Sequence, residues 1–171
     1  MTAPELHTRR LLLRGFGDED VRPLFERFFS VPGAVKYTGE TLHESDYDTF
    51  LWLKRAITSD DRIVWGFERE NDGLVGFGGL EREKGPGTWE LAYYIFADDW
   101  GRGIAAEASE RIAEYAGDVL HADRLTAKCS VENAASAKVL QKLGFTFCGE
   151  TTITKLDGGG MLDAFLYEKR L

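Results

Sequence analysis

The chain has 171 residues, of which 43% are hydrophobic and 29% are charged, a balance typical of one folded domain with its own core. Its 21 Lys and Arg against 29 Asp and Glu give a formal charge of −8, which argues against general nucleic-acid binding because that function needs a basic surface. The negative charge fits either a cationic binding partner or simple acidic solubility.

The first residues and the cysteines indicate a cytoplasmic protein. The opening MTAPELHTRR lacks the apolar core of a signal peptide, and the run Leu11-Leu12-Leu13 is far too short to span a bilayer. Cys129 and Cys148 show no CxxC spacing, so we predict reduced thiols buried in strands. We predict no metal site, because the histidines are scattered singly at His7, His43 and His121.

The N-terminal part of the chain predicts one strand followed by two helices. Residues 9–14 suit a short strand, and Asp18 opens a helical pattern that Pro32-Gly33 ends. A second helix is predicted over about 46–59. One face of this helix is predicted to carry Tyr47, Phe50, Leu51 and Ile57.

Three strands are predicted next. Residues 62–68, 74–81 and 88–96 are short runs rich in β-branched and aromatic side chains. Asn71-Asp72-Gly73 between the first two is a strong hairpin signal, and Lys84-Gly85-Pro86-Gly87 joins the second to the third. Connections this short predict an antiparallel meander.

The remaining chain alternates between helices and strands. A strand–helix–strand crossover makes its two strands parallel, so residues 88–96 and 124–130 should run in the same direction. The predicted fold is α+β, a mixed and mostly antiparallel sheet with a central parallel strand pair, flanked by helices. The predicted elements are a helix at about 104–120, a strand at 124–130, a helix at 134–143, and strands at about 146–154 and 161–169.

The turn Trp100-Gly101-Arg102-Gly103 has the features of an anion site. It leads into the first turn of a long helix, where main-chain N–H groups lack internal partners and the helix dipole is positive. Glycines let an anion approach the main chain closely, and Arg102 adds positive charge. We interpret the turn as a phosphate site, the alternative being a tight turn that binds nothing.

Five segments along the chain form a pattern: Thr8-Arg9-Arg10-Leu11-Leu12-Leu13-Arg14, Glu90-Leu91-Ala92-Tyr93-Tyr94-Ile95, Trp100-Gly101-Arg102-Gly103-Ile104-Ala105-Ala106-Glu107-Ala108, Glu132-Asn133 with Ser136, and Leu143-Gly144-Phe145. Their order and spacing resemble the GNAT superfamily of acyl-CoA-dependent N-acyltransferases. Within it, they resemble the branch of the ribosomal-protein N-acetyltransferases RimJ and RimL. Trp100 stands where the superfamily often has Gln or Arg, and Trp is usual in that branch.

The resemblance implies acetyl-coenzyme A as co-substrate. Its pyrophosphate is expected on the amides of the glycine turn, those of Gly101, Arg102, Gly103, Ile104, Ala105 and Ala106. Its pantetheine arm is expected to pair with the preceding strand at Ile95, Phe96 and Ala97, as an added strand does. Asn133 is expected to contact the cofactor, the alternative being a helix cap that accepts the amide near Ser136.

The resemblance also implies direct attack of an amine on the thioester, without an acyl-enzyme. Glu90 is the candidate base, directly or through water, with a salt-bridged carboxylate as the alternative. Leu140 stands where the family often has a general-acid tyrosine. We therefore take Ser136 as the candidate donor to the departing sulfur, with a simple cofactor or backbone contact as the alternative.

Other positions are interpreted as structural. Gly144 fits a left-handed helix cap followed by the apolar contact of Phe145. Glu107 fits a carboxylate that stabilises the helix dipole, rather than a substrate anchor. Several aromatic residues could wall an acceptor pocket, although core packing is the first interpretation for each of Phe28, Phe29, Trp52, Trp65, Tyr93 and Tyr94.

The acceptor is predicted to be a primary amine, with a protein N-terminus favoured. An α-amino group with a pKa of about 8 is about one-tenth neutral at pH 7, whereas a lysine amine with a pKa of about 10.4 is neutral in about one molecule in a few thousand. A terminal amine therefore asks less of a general base. Small-molecule amines stay open as acceptors, and so does a homodimer; neither nucleic acid nor membrane is expected as a partner.

Two other functions remain to be tested at this point. Gly101 to Ala106 spells the Gly-x-Gly-x-x-Ala of an NAD(P)-dependent oxidoreductase, and Glu132 ends the next strand. The antiparallel meander before the turn and the short chain after Glu132 argue against that interpretation. The second alternative is an acetyl-CoA-binding module without catalysis.

Overall fold

An eight-stranded sheet is the frame of the computed structural model, which describes residues 1–156 and 158–171. The strand order is β1-β2-β3-β4-β5-β6-β8-β7, and every neighbouring pair is antiparallel except β5 and β6. The strands are β1 (Leu6–His7), β2 (Leu11–Arg14), β3 (Arg62–Arg69), β4 (Gly73–Arg82), β5 (Thr88–Ile95), β6 (Arg124–Ser130), β7 (Thr146–Thr154) and β8 (Met161–Arg170).

This topology confirms the predicted fold class. The β3-β4-β5 meander is antiparallel, and the crossover through the long helix makes β5 and β6 parallel, as the connection lengths predict. The tight β3–β4 turn is possible because Asn71 and Gly73 both take positive φ angles, 68° each. No helix in the described part of the chain is long and apolar enough to cross a membrane.

Helices pack on both faces of the sheet. Alternation along β5 separates the two cores, since Leu91 lies in the core on one face and Tyr94 packs against the core on the other. The helices on the Leu91 face are α4 (Ile104–Asp118) and α5 (Ala134–Lys142). The helical elements on the Tyr94 face are α1 (Val21–Leu24) with the π-helical turn Phe25–Phe29 that continues it, α2 (Pro32–Val35) and α3 (Asp46–Thr58).

The predicted helix α3 is confirmed, and the residues that it buries differ from the apolar residues grouped on one face by the sequence. Its N-terminus is capped by Ser45, whose hydroxyl accepts from the amide of Asp48 in a capping box. The buried stripe has helical spacing but includes small and polar residues, whereas Tyr47 is 63% exposed. The buried residues are Thr49, Trp52, Leu53 and Ala56.

One of the two cysteine predictions is wrong. Cys129 is buried in β6, but Cys148 is exposed on β7. The strand β7 lies at the edge of the sheet, and much of its surface faces solvent. Neither thiol is disulfide-bonded.

The predicted cap after α5 is confirmed. Gly144 has φ +82°, its amide donates to the carbonyl of Gln141, and the amide of Phe145 donates to the carbonyl of Leu140. These two bonds form a Schellman motif, and Phe145 and Leu140 are both buried in the same core. The motif holds the C-terminal end of α5 against the sheet. The N-terminal end of the same helix carries two of the candidate site residues.

Candidate active site

The site begins where β5 and β6 separate. The two strands pair only through residues 88–90 and 124–126. Beyond them, β5 continues to Ile95 along β4, and β6 continues to Ser130 along β8. The inner edges of residues 91–95 and 127–130 therefore face each other without a ladder between them. We call this opening in the sheet the slot.

Main-chain groups of β5 line one side of the slot. The amide of Phe96 donates to Val75 of β4, 3.0 Å away. Alternate residues of a strand turn their main-chain polar groups to opposite sides. Since Phe96 turns its amide to β4, the main-chain groups of Leu91, Tyr93 and Ile95 face the slot. An extended ligand can add to such an edge by main-chain hydrogen bonds.

The three residues predicted to pair with a pantetheine arm are therefore not equivalent. Ile95 faces the slot, and its carbonyl also accepts from the indole N–H of Trp100 at 2.8 Å. Phe96 has both polar main-chain groups occupied inside the protein, because its carbonyl accepts from the amide of Asp99. The carbonyl of Ala97 accepts from the amide of Trp100. Leu91 and Tyr93 turn their main-chain groups to the same side of the strand as Ile95.

The glycine turn presents the donors expected of it. Gly101 and Gly103 have φ angles of +73° and +77°, which glycine adopts without strain. The first amide with a partner in the helix is that of Glu107, which donates to Gly103. None of the six preceding amides has an acceptor within residues 1–156 and 158–171. The donors belong to Gly101, Arg102, Gly103, Ile104, Ala105 and Ala106.

A buried carboxylate holds this turn in place. Asp99, whose side chain is 5% exposed, accepts from Arg27 at 2.9 Å, Arg69 at 3.2 Å and Arg102 at 3.3 Å. These three ion pairs connect Asp99 to one arginine of the turn and to two arginines outside it. Arg102 is half exposed and paired, so it is not a freely extended phosphate ligand.

Replacing Asp99 with Ala is expected to lower the free energy of unfolding by about 3 kcal/mol, because three partly buried guanidinium groups lose their common partner. Urea unfolding followed by fluorescence measures the change. Asp98→Ala is the matched control, since the Asp98 side chain is 86% exposed and its one ion pair within the described part of the chain is with Arg27, at 3.9 Å. The control should stay within about 0.5 kcal/mol of the parent protein. Equal effects of the two variants would contradict the role of Asp99.

Glu107 lies in the first turn of α4, as predicted for a carboxylate that stabilises the helix dipole, and it has a second role. Its carboxylate accepts from the hydroxyl of Thr8 at 2.6 Å, from the amide of Arg10 at 2.9 Å and from the Nε of Arg10 at 2.6 Å. The side chain of Arg10 also donates to the carbonyl of Arg102. Glu107 therefore ties the N-terminal strand pair to the glycine turn. These contacts lower the pKa of Glu107, although desolvation, the largest single effect, acts in the opposite direction.

Two cavities meet at Glu90. The first, of about 110 Å³, runs through the slot. The second, of about 120 Å³, lies on the α3 side of the sheet. Both are bordered by Glu90, Ala92 and Tyr94. The Glu90 carboxylate is paired with the Nζ of Lys128 at 2.8 Å, so the salt bridge named as the alternative role of Glu90 is present.

Ser136 lies on the other face of the slot. Its hydroxyl is 2.9 Å from that of Tyr93, and its amide donates to the side chain of Asn133 at 3.1 Å. Asn133 is thus a helix cap, and it also borders the slot. Burial raises the pKa of Tyr93 to about 12, although the contact with Ser136 acts in the opposite direction.

Sequence reasoning did not single out Tyr93, Lys128 or Glu40 as site residues. Tyr93 appeared in a segment of the family pattern and in a set of aromatic residues without a chemical role, and Lys128 and Glu40 carried no motif. The alternation of β5 was the available signal, because it sends Glu90 and Tyr93 to opposite faces of one strand. No group of three or more His, Cys, Asp or Glu side chains among the described residues is arranged to hold a metal.

Comparison with known proteins identifies the class. Residues 10–146 match the family model described as the acetyltransferase (GNAT) domain. The chain is 30% identical over 149 residues to the uncharacterized N-acetyltransferase YoaA of Bacillus subtilis strain 168, a match that covers 83% of this chain and 82% of the relative. This chain belongs to the GNAT family, and it is an N-acetyltransferase that uses acetyl-CoA. The oxidoreductase and non-catalytic alternatives are therefore set aside.

Solved structures show the same fold. A GNAT acetyltransferase from Bacillus anthracis superposes with a TM-score of 0.85 at 22% identity, covering 98% of both chains. A Vibrio cholerae protein provisionally described as a ribosomal-protein-serine acetyltransferase superposes with a TM-score of 0.83 at 17% identity, covering 100% of both chains. At these identities the likeness concerns the fold.

Proposed function

We propose that this enzyme acetylates the α-amine of a peptide N-terminus, as a member of the RimJ/RimL-like branch, by direct transfer from acetyl-CoA. The observation that carries the proposal is the position of Glu90, on the wall shared by the slot cavity and the α3-side cavity. One cavity can then hold the thioester and the other the amine. The segments quoted from the sequence and the name of the Vibrio cholerae protein support the branch.

Two features of the structure suit acetyl-CoA: the unpaired amides of the glycine turn and the main-chain edge of β5 that faces the slot. The unpaired amides from Gly101 to Ala106 suit its diphosphate, because charge-assisted bonds to main-chain donors are strong. The edge formed by Leu91, Tyr93 and Ile95 suits its amide-containing arm. Asn133 borders the same cavity and can contact the arm while it caps α5.

Glu90 is the proposed base on the amine side. The nitrogen lone pair attacks the thioester carbon, the C–N bond forms and the C–S bond breaks. The proton lost by nitrogen passes to the Glu90 carboxylate, directly or through one water, and the sulfur leaves as a thiolate. Lys128 fixes the orientation of the carboxylate through their 2.8 Å ion pair. An α-amine depends less on such a base than a lysine amine does, because a larger fraction of it is neutral at pH 7.

Tyr93 and Ser136 are the proposed donors on the sulfur side. A phenol with a pKa of about 12 keeps its proton when it meets a thiolate, since the reference pKa of a thiol is about 8.5. The pair therefore stabilises the departing thiolate by hydrogen bonding and does not protonate it. This arrangement replaces the family's tyrosine, whose position is taken by the buried Leu140.

Tyr93→Phe and Ser136→Ala are each expected to lower kcat by about 10-fold, the loss of one hydrogen bond to a developing charge. The kcat of the double variant should be little lower than that of either single variant, because the two hydroxyls act as one unit. Since the pKa of Tyr93 is raised to about 12, its ionisation cannot reduce kcat of the parent enzyme between about pH 7 and pH 10. Steady-state thiol release measured across that range tests both statements.

Acetyl-CoA thiol release with a panel of acceptors tests the proposed function. The panel contains peptides with free N-termini, the same peptides with blocked N-termini and free lysine side chains, and small primary amines. The proposal expects turnover with the free N-termini and mass addition at the α-amine. Turnover confined to lysine side chains or to small amines would overturn the proposal that the acceptor is a peptide N-terminus.

A further inference from the structure

The α3-side cavity contains a carboxylate that the proposed chemistry does not use. Its aromatic walls are Trp52, Phe77 and Tyr94, and its carboxylates are Glu40, Glu81 and Glu90. Glu81 is paired with Arg62 at 2.6 Å, and Glu90 is paired with Lys128. Glu40 is the remaining acid.

Glu40 is buried without a cationic partner. The residue is 7% exposed, and its Oε2 accepts one hydrogen bond, from the indole N–H of Trp52 at 3.0 Å. No ion pair to its carboxylate exists among residues 1–156 and 158–171. The nearby ammonium of Lys155 donates to the main-chain carbonyls of Val35 and Glu40, at 2.9 and 3.0 Å.

Such a carboxylate is costly in a folded protein. An ionised carboxylate loses much of its hydration on burial, and one neutral hydrogen bond does not replace it. Burial accordingly raises the pKa of Glu40, although Trp52, Arg62 and Lys155 act in the opposite direction. A bound cation that reaches the open side of the carboxylate would supply the missing partner.

The reacting amine is not that cation. Contact with a buried carboxylate stabilises the protonated amine, and the protonated amine cannot attack a thioester. Glu40 also borders only the α3-side cavity, whereas Glu90 borders both cavities. A ligand with its reacting nitrogen at Glu90 therefore needs a different group to reach Glu40.

We infer that Glu40 binds a second positively charged group of the acceptor. The inference rests on the proposed function and narrows its acceptor to molecules that carry an ammonium a few bonds from the reacting amine. A cavity of about 150 Å³ holds benzene in another protein, so one of about 120 Å³ holds a group of about five or six heavy atoms. Two sources supply this chemistry, a short diamine or an N-terminal residue with a short cationic side chain.

Two matched acceptor pairs test the inference and separate the sources. The first is 1,4-diaminobutane against pentylamine, which differ by one terminal ammonium in place of a methyl group. The second is a peptide beginning with ornithine against the same peptide beginning with norleucine. The parent enzyme should prefer the dicationic member of at least one pair by about 10- to 100-fold in kcat/KM, the effect of one charged hydrogen bond. Preference within the first pair alone indicates a diamine, and preference within the second alone indicates a peptide.

Glu40→Gln should reduce that preference to about 3-fold or less, because its amide can still accept from Trp52 but carries no charge. Comparing the ratio in the two enzymes cancels the intrinsic difference in reactivity between the acceptors. Glu168→Gln is the control and should retain the preference, since Glu168 is paired with Arg124 and borders neither cavity. Thermal unfolding of each variant checks that it is folded.

Equal kcat/KM within both pairs in the parent enzyme would overturn the inference, and so would a preference that survives Glu40→Gln. If no acceptor is turned over while acetyl-CoA binds, the proposed function fails instead. In that case isothermal titration calorimetry with 1,4-diaminobutane and pentylamine still tests whether Glu40 binds a second positively charged group. The diamine must bind the parent protein at least about 10-fold more tightly, and a smaller difference contradicts the assignment.

Discussion

Glu90→Gln is expected to lower kcat for acetyl transfer by about 10²- to 10³-fold, the usual contribution of a positioned general base. The amide cannot take the proton of the attacking nitrogen, whereas the rest of the slot is unchanged. Steady-state thiol release, measured at saturating acceptor across a range of pH, compares kcat of the variant with that of the parent enzyme. The KM for acetyl-CoA should stay the same, because Glu90 lies away from the glycine turn.

Glu168→Gln is the matched control for this prediction. Glu168 also pairs with a cation on β6, Arg124 at 3.5 Å, but it borders neither cavity. Its removal should leave kcat and the pH profile within about 2-fold of the parent enzyme. If Glu90→Gln behaves like this control at every pH, Glu90 has no part in the reaction.

The double variant Gly101→Val, Gly103→Val is expected to weaken acetyl-CoA binding by at least about 100-fold. Both glycines have positive φ angles, which cost a β-branched residue about 1–2 kcal/mol each. The turn relieves that strain by rotating its peptide groups, so several unpaired amides no longer converge. Each charged hydrogen bond lost costs about 1.5–3 kcal/mol. Isothermal titration calorimetry with acetyl-CoA measures the change.

Gly73→Val separates backbone strain from ligand binding. Gly73 has φ +68° and open space where a side chain would begin, but it lies in the β3–β4 turn. This variant should lose thermal stability in the same way and keep the affinity for acetyl-CoA. Acetyl-CoA binding that survives in the double variant would show that the turn is not the diphosphate site.

The parts of the fold that could be predicted are those set by local chemistry. Asn71-Asp72-Gly73 specifies a hairpin, and the length of the crossover specifies a parallel pair, so both the meander and the β5–β6 pairing follow from neighbouring residues. Asn133 and Gly144 begin and end α5 for reasons contained within a few residues of each. The glycine turn follows from the same kind of signal.

The parts that could not be predicted depend on residues far apart in the chain. The buried face of α3 includes Thr49 and Ala56, because the helix meets the sheet there, although larger apolar side chains were available. The approach of Tyr93 to Ser136 joins residues 43 positions apart, and the burial of Glu40 depends on Trp52. Phe96 was expected at the cofactor, but its amide belongs to β4, which only the register of the sheet decides.

The short ladder between β5 and β6 has a mechanical consequence. Three residue pairs of β5 and β6 connect two parts of the sheet. One part has the five strands β1 to β5, and the other has the three strands β6, β8 and β7. This connection is shorter than the ladders on either side of it, although the core on the Leu91 face continues across it. A ligand that lies along both inner edges supplies main-chain hydrogen bonds where the two strands do not pair. The sheet therefore becomes more rigid when the ligand is bound.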